Sequence, residues 1–167
     1  MKNGGNFLFR KLLSVSLCQT NKYNKAMDKQ IGFMMKQISV EQFAILSGNV
    51  PADDDVMELK TKYSFKLSTE NKSIAPVVRF EFYSNSSLFM ILEVLCAFMI
   101  KPEDWNGMIA DNQIVIPQGF LAHIIMHTVG TARGILFCKT ESTPFNQILL
   151  PAINVDEMVP ENLSFPI

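Results

Sequence analysis

Between Leu88 and Ile100 the only polar residue is Glu93. Thirteen residues with a central acid are too few to cross a bilayer as a helix. Read as a strand, the run sets Leu92, Val94, Cys96, Phe98 and Ile100 on one face and Ile91, Leu95, Ala97 and Met99 on the other. Leaving large apolar side chains in water forgoes about 1.5–3 kcal/mol each. Both faces therefore call for cover: a helix of the same chain, another subunit or a ligand.

The flanking segments supply the rest of a sheet. Met57, Leu59, Tyr63, Phe65 and Leu67 fall on one parity, and Glu58, Lys60, Lys62, Ser64 and Lys66 on the other, the mark of a half-buried strand over Val56–Ser68. Val77–Tyr83 alternates again through Val78, Phe80 and Phe82. Turn residues at 69–73 and 84–87 join these three runs into an antiparallel meander. Ile38, Val40, Phe43 and Ile45 predict a first strand within Gln37–Leu46. The acidic run Asp53-Asp54-Asp55 lacks the alternate spacing and closing Glu of an EF-hand and reads as a solvated loop. Lys101–Trp105, which contains Pro102, ends the sheet. From Pro117 to Thr140, Leu121, Ile124, Ile125, Thr128, Val129, Ala132, Ile135 and Leu136 recur at helical spacing. Gly130 and Gly134 each cost about 1 kcal/mol inside a helix, which close approach of a packed neighbour would offset. A bilayer role for that spacing suits His123, His127 and Arg133 poorly. Thr143-Pro144-Phe145 breaks the helix, Ile148–Val155 reads as an extended loop, and Pro160 and Pro166 exclude a long final helix. The expected fold class is α+β: a four-stranded antiparallel sheet with one long helix packed on it.

Charge is distributed unevenly. Residues 1–26 carry five basic residues and no acid, whereas the remainder carries 10 basic and 16 acidic, a net of −6. An acidic body argues against phosphate-backbone binding, so no nucleic acid partner is expected. The amino-terminal segment fits a secretory signal poorly, because Arg10 and Lys11 interrupt its apolar run and no small-x-small cleavage site follows. The division expected is a basic extension or over-long start at 1–32 (Met27 offers a second start), a domain over 33–160 and a short tail at 161–167. Three Cys at 18, 96 and 138 make no disulfide framework and read as buried thiols in a reducing compartment. Thirteen Phe and ten Met are in excess, and Met recurs on surfaces that accept varied apolar partners.

Catalytic chemistry is hard to assemble. His123 and His127 lie one helical turn apart, but no Glu follows His123 and no third ligand stands nearby, so they read as a polar helix stripe and no metal is assigned. Gly130-Thr131-Ala132-Arg133-Gly134 lies inside a helix pattern and is not a phosphate loop. Arg133 reads as a capping or interface ion pair. No nucleophile, base and orienting group stand together. Binding is favoured over catalysis, and no cofactor and no enzyme activity are expected.

The stretches Ile116-Pro117-Gln118-Gly119-Phe120-Leu121-Ala122-His123, Val129-Gly130-Thr131-Ala132-Arg133-Gly134 and Thr143 through Val155, with its Leu150-Pro151-Ala152-Ile153-Asn154, resemble the SecB export chaperone family, in its divergent SecB-like branch. The resemblance covers Phe33 to Met158 and extends to the order of four strands, one long helix and a proline-broken loop. It implies a cytoplasmic subunit that assembles as a dimer of dimers (homotetramer) or dimer, and holds unfolded or nascent polypeptides for transport or export without ATP or metal. Phe120, Phe137 and Phe145 are its candidate client-binding residues, with core packing as the alternative for each. Ile91, Leu95, Met99, Gly130 and Gly134 are the candidate oligomer contacts. The family's second long helix is cut short here and its acidic tail is absent, which puts docking on the SecA motor in doubt. An antitoxin-specific chaperone is the narrower alternative. A ligand-binding or catalytic His123/His127 face is the third.

Overall fold

The structure, a computed structural model, describes residues 31–46, 51–52, 55–155, 159 and 162–166. The basic segment 1–26 with Cys18, and most of the acidic loop, lie outside these residues. Strands β1 (Phe33–Ile45), β2 (Met57–Ser68), β3 (Ser73–Ser84) and β4 (Ser87–Ile100) form one antiparallel sheet in the order β1-β4-β3-β2. The meander proper is therefore β2-β3-β4. β1 joins the far side of β4, which places the most apolar strand in the interior and leaves β1 and β2 as edges.

Turn chemistry explains the tight connections. Asn85 and Ser86, between β3 and β4, both have positive φ, 45° and 68°. That is the backbone of a two-residue hairpin whose twist matches its strands. β3 starts before the expected Val77 and runs through Pro76, which faces Phe65 of β2. A proline donates no ladder bond. Full burial of Ile74 on the preceding turn of the pleat outweighs that loss.

β1 does not alternate regularly in sequence, and its register shows why. Phe33, Met35, Ile38, Val40, Phe43 and Ile45 pair with Ile100, Phe98, Cys96, Val94, Leu92 and Met90. Irregularities fall between Met35 and Gln37 and between Val40 and Gln42. Each bulge inserts one residue and returns the next apolar side chain to the same face.

That face carries the core. Helix α2 (Gln118–Thr140) lies against β3 and β4, with Leu121, Ile124, Ile125, Ala132 and Leu136 buried beneath it. They meet Ile74, Val78, Phe80, Leu92, Val94, Cys96 and Phe98 in one cluster. Buried Thr128 and Thr140 donate their hydroxyl hydrogens to the carbonyls of Ile124 and Leu136, at 2.9 and 2.8 Å. α2 is long and apolar enough to cross a bilayer by length and composition, yet half of its most apolar window is buried inside the protein.

The chain between β4 and α2 is more ordered than its sequence suggests. A short helix α1 (Pro102–Gly107) buries Trp105. β5 (Ile109–Ala110) and β6 (Gln113–Pro117) follow, joined by Asp111 and Asn112 at φ 49° and 58°. The stretch expected to be a short tail is strand β7 (Asn162–Pro166), which pairs antiparallel with β6. Ile114 and Ile116 of β6 are fully buried in the main core, with Leu163 and Phe165 packed against it.

These positions set a contrast in stability. Phe98→Ala should cost about 3–5 kcal/mol, the range for emptying a packed aromatic site. Ile38→Ala, at an exposed position of β1, should stay within about 0.5 kcal/mol. Urea unfolding of both variants measures the difference.

Candidate functional site

A single helix does not span four strands. α2 is about 10 Å across with its side chains, whereas four strands at about 4.8 Å spacing cover about 14 Å between outer axes. The helix packs over β3 and β4, and the middle of β1 is left bare. Ile38 is 52% exposed and Val40 39% exposed, although their cross-strand partners Cys96 and Val94 are fully buried on the same face. The near flank of α2 is marked by Thr131, whose hydroxyl, like that of Thr128, acts electrostatically on the Cys96 thiol. Burial pushes that thiol's pKa up, and the two hydroxyls offset the shift only in part. The result is a trough with Ile38 and Val40 on its strand side and Thr131 on its helix side. Along its outer rim runs the outer edge of β1, whose only described strand partner is β4.

The opposite flank of α2 is closed. Arg133 stands about 200° around the helix from Thr131 at 100° per residue. It donates from Nη2 to the Pro151 carbonyl at 2.8 Å and from Nε to that of Leu150 at 3.3 Å. The side chain expected in an ion pair thus ties down the proline-broken loop, joining two of the sequence stretches that carry the family resemblance. Gln118 adds a bond from Nε2 to the Val159 carbonyl at 3.1 Å. At the end of α2 the Thr143 hydroxyl donates to the Thr140 carbonyl at 2.6 Å and accepts from the Phe145 amide, so the chain leaves the helix into a single 3-10 turn, Pro144–Gln147.

The candidate client residues separate. Phe120 and Phe145 are both 8% exposed and belong to the core. Phe120 meets Phe33 edge-on at 5.4 Å, and Phe145 stacks on Phe89 at 5.9 Å. Phe137 is 52% exposed on the outer side of α2, as is Met126 about three turns before it. Ile38 and Val40 escape a sequence search for site residues because alternation marks a strand's buried side but not how far a helix reaches across it.

Gly130 and Gly134 are exposed, and a Cβ built on either meets nothing within 4 Å. No neighbour within the described residues uses the space they leave, so the close approach expected of them is absent there. Cys138 is exposed rather than buried, because it falls on the outer side of the helix. Cys96 is buried.

On the sheet face away from α2, Ile91 and Leu95 are buried and Met99, paired with exposed Met34, is more than a third exposed. Ala75, Val77 and Leu95 form a small cluster there, with Ala97 packed against it. The rest of that face is a polar row crossing all four strands. Arg79 of β3 bonds Glu81 through Nε and Glu93 of β4 through Nη1, each at 2.7 Å, and also reaches Gln42 of β1. Lys62 of β2 and the Tyr83 hydroxyl donate to Glu81. Glu93, the single acid in the apolar run, is thus paired across the strand.

Among the described residues, no three His, Cys, Asp or Glu side chains gather into a metal-binding group. His123 and His127 do meet, Nε2 to Nε2, at 3.2 Å.

No family model matches the chain, and no curated protein is similar to it in sequence. Among solved structures it is similar to a SecB-like chaperone of Mycobacterium tuberculosis in complex with a ChAD peptide from an antitoxin. The identity there is 10% and the TM-score 0.44, over 72% of this chain and 90% of that one. A protein of unknown function from Streptococcus agalactiae is similar at 11% identity and a TM-score of 0.36, over 74% of this chain and 98% of that one. Both are distant, fold-level resemblances.

The polar row carries a pH dependence. Arg79 first, and Lys62 next, hold the Glu81 carboxyl down to about 2, against about 4.3 for a free Glu. A depressed carboxyl stabilises the fold fully above its unfolded pKa, and the contribution is lost as pH falls from there toward 2. Urea midpoints between pH 5 and pH 2.5 should fall less steeply in Glu81→Gln than in the wild type, and parallel slopes would show that Glu81 carries none of the effect.

Proposed function

We propose that this protein is an ATP-independent chaperone that holds unfolded or nascent polypeptide, in extended form, along the trough between β1 and α2. The observation that carries this reading is the exposure of Ile38 and Val40 beside a strand edge that no other described strand pairs with. An extended segment added to β1 would satisfy its main-chain groups on that edge. Its alternate apolar side chains would then cover Ile38 and Val40. Main-chain pairing reads no sequence, and a trough with an aliphatic floor accepts varied side chains, which together suit a broad range of clients. Exposed Met126 and Phe137 extend the apolar surface over the outer side of α2. The sequence stretches that resemble the SecB family point the same way, toward a cytoplasmic holdase in protein transport.

Assembly belongs to the same proposal. Sister copies meet through the bare stretch of α2 around Gly130 and Gly134, and through the sheet face at Met99, in a dimer or a dimer of dimers. Ile91 and Leu95 keep too little exposed area to add much to that contact. Light scattering coupled to size exclusion should show an oligomer. A monomer would remove this part of the proposal.

Client holding is tested with Ile38→Asp and Val40→Asp. A charge in the trough should abolish suppression of aggregation of an unfolded client near one oligomer per client, while circular dichroism and urea stability stay at wild-type values. Suppression that survives both substitutions would end the assignment of this trough. No effect of the wild type on any unfolded client would end the chaperone reading itself. Co-purification of one small protein, rather than many, would narrow the role to a dedicated partner such as an antitoxin.

A further inference from the structure

The flank of α2 beside Thr131 holds a second feature, which borders the proposed trough. His123 and His127 are both exposed, one turn apart, with their Nε2 atoms 3.2 Å from each other. Two imidazole nitrogens bound to one tetrahedral ion at about 2.0–2.1 Å lie about 3.3–3.4 Å apart. The pair therefore already has the bite of a chelate.

The rings also have aromatic neighbours. Phe33 meets the His123 ring edge-on at 5.4 Å and the His127 ring at 6.1 Å, and Phe98 lies 6.3 Å from His127. This aromatic floor lies on the sheet side of both imidazoles and leaves the opposite side open. There the pair borders a shallow concavity with Met126, Gly130 and Thr131. Gly130, with no atom within 4 Å of a built Cβ, leaves room for further ligands around an ion.

We propose that His123 and His127 form a two-point chelate for a divalent first-row transition ion of the kind that favours imidazole, with solvent, or a sister copy seated at Gly130, in its remaining positions. Two neutral imidazoles without a carboxylate select Zn²⁺, Ni²⁺ or Cu²⁺ over Mg²⁺ and Ca²⁺, which require oxygen ligands. In the neutral pair one Nε2–H points at the other ring's Nε2. Binding moves that proton to the Nδ1 of its own ring and turns the rings so that both Nε2 lone pairs converge on the ion.

This inference is independent of client holding, and its test involves no client. Calorimetric titration of the untagged full-length protein with Zn²⁺, in parallel with His123→Gln and His127→Gln, reads it directly. Both side chains are exposed, so the variants should keep wild-type circular dichroism. The wild type should take up Zn²⁺ saturably, and either substitution should weaken binding at least tenfold. Even loss of groups that merely orient a ligand costs about 10–100-fold. Zn²⁺ should raise the melting temperature of the wild type and leave that of the variants unchanged. Absence of saturable uptake by the wild type, or uptake that neither substitution weakens, would overturn the assignment.

Discussion

Everything in this fold hangs on covering β4. Leu92, Val94, Cys96, Phe98 and Ile100 lie side by side on an interior strand, and the four of them from Leu92 to Phe98 have no exposed area. Only a long apolar element laid across them removes that surface from water, and α2 is that element. Its 23 residues run about 35 Å at 1.5 Å per residue, against about 46 Å for the 14 residues of β4. Its width does not span the sheet. Strands β6 and β7 and the loop tied down by Arg133 add their apolar side chains to the same core. The flank of α2 facing the middle of β1 receives no such cover from the described residues. The trough is thus the remainder left when one helix is set over four strands and the chain closes only one side.

The sheet's other face resolves differently. A run as apolar as Leu88–Ile100 demands a second covering layer if its neighbours are apolar too. They are not: Arg79, Glu81, Gln42 and Lys62 bring hydrogen-bonding groups to Glu93 and its surroundings from the other strands of the sheet. Glu81 is buried and depends on these partners, although the pair with exposed Lys62 alone adds little stability. What they do here is hold long side chains flat across the sheet, limiting the apolar remainder to the region of Val77, Leu95 and Met99. The surface left for partners is consequently concentrated at β1 and on the outer side of α2, rather than spread over a whole sheet face.

Much of the architecture is legible in local periodicity. The parity of Met57 to Leu67 and the helical spacing of Leu121 to Leu136 each report a fixed geometry, and α2 lies within one residue of its expected limits. β1 is legible in its core but not its length, since the two bulges break the alternation that would extend it. β5 and β6 escape a reading by pattern although Asp111-Asn112 is a recognisable hairpin turn. A strand of two residues offers no period to read. β7 escapes it because its partner β6 lies about fifty residues earlier, and pairing at that distance leaves no trace in composition.

The candidate site divides along the same line. Sequence determined which side chains are apolar, that β4 needs cover on its helix side, and that His123 and His127 share one side of a helix, because each depends only on residue type and local repeat. Tertiary structure alone decided that Phe120 and Phe145 are enclosed while Ile38 and Val40 are bare, that Arg133 binds carbonyls rather than an acid, and that two imidazoles meet at 3.2 Å. Those outcomes depend on where one rigid rod comes to rest on a wider sheet, a distance between elements that no local pattern encodes.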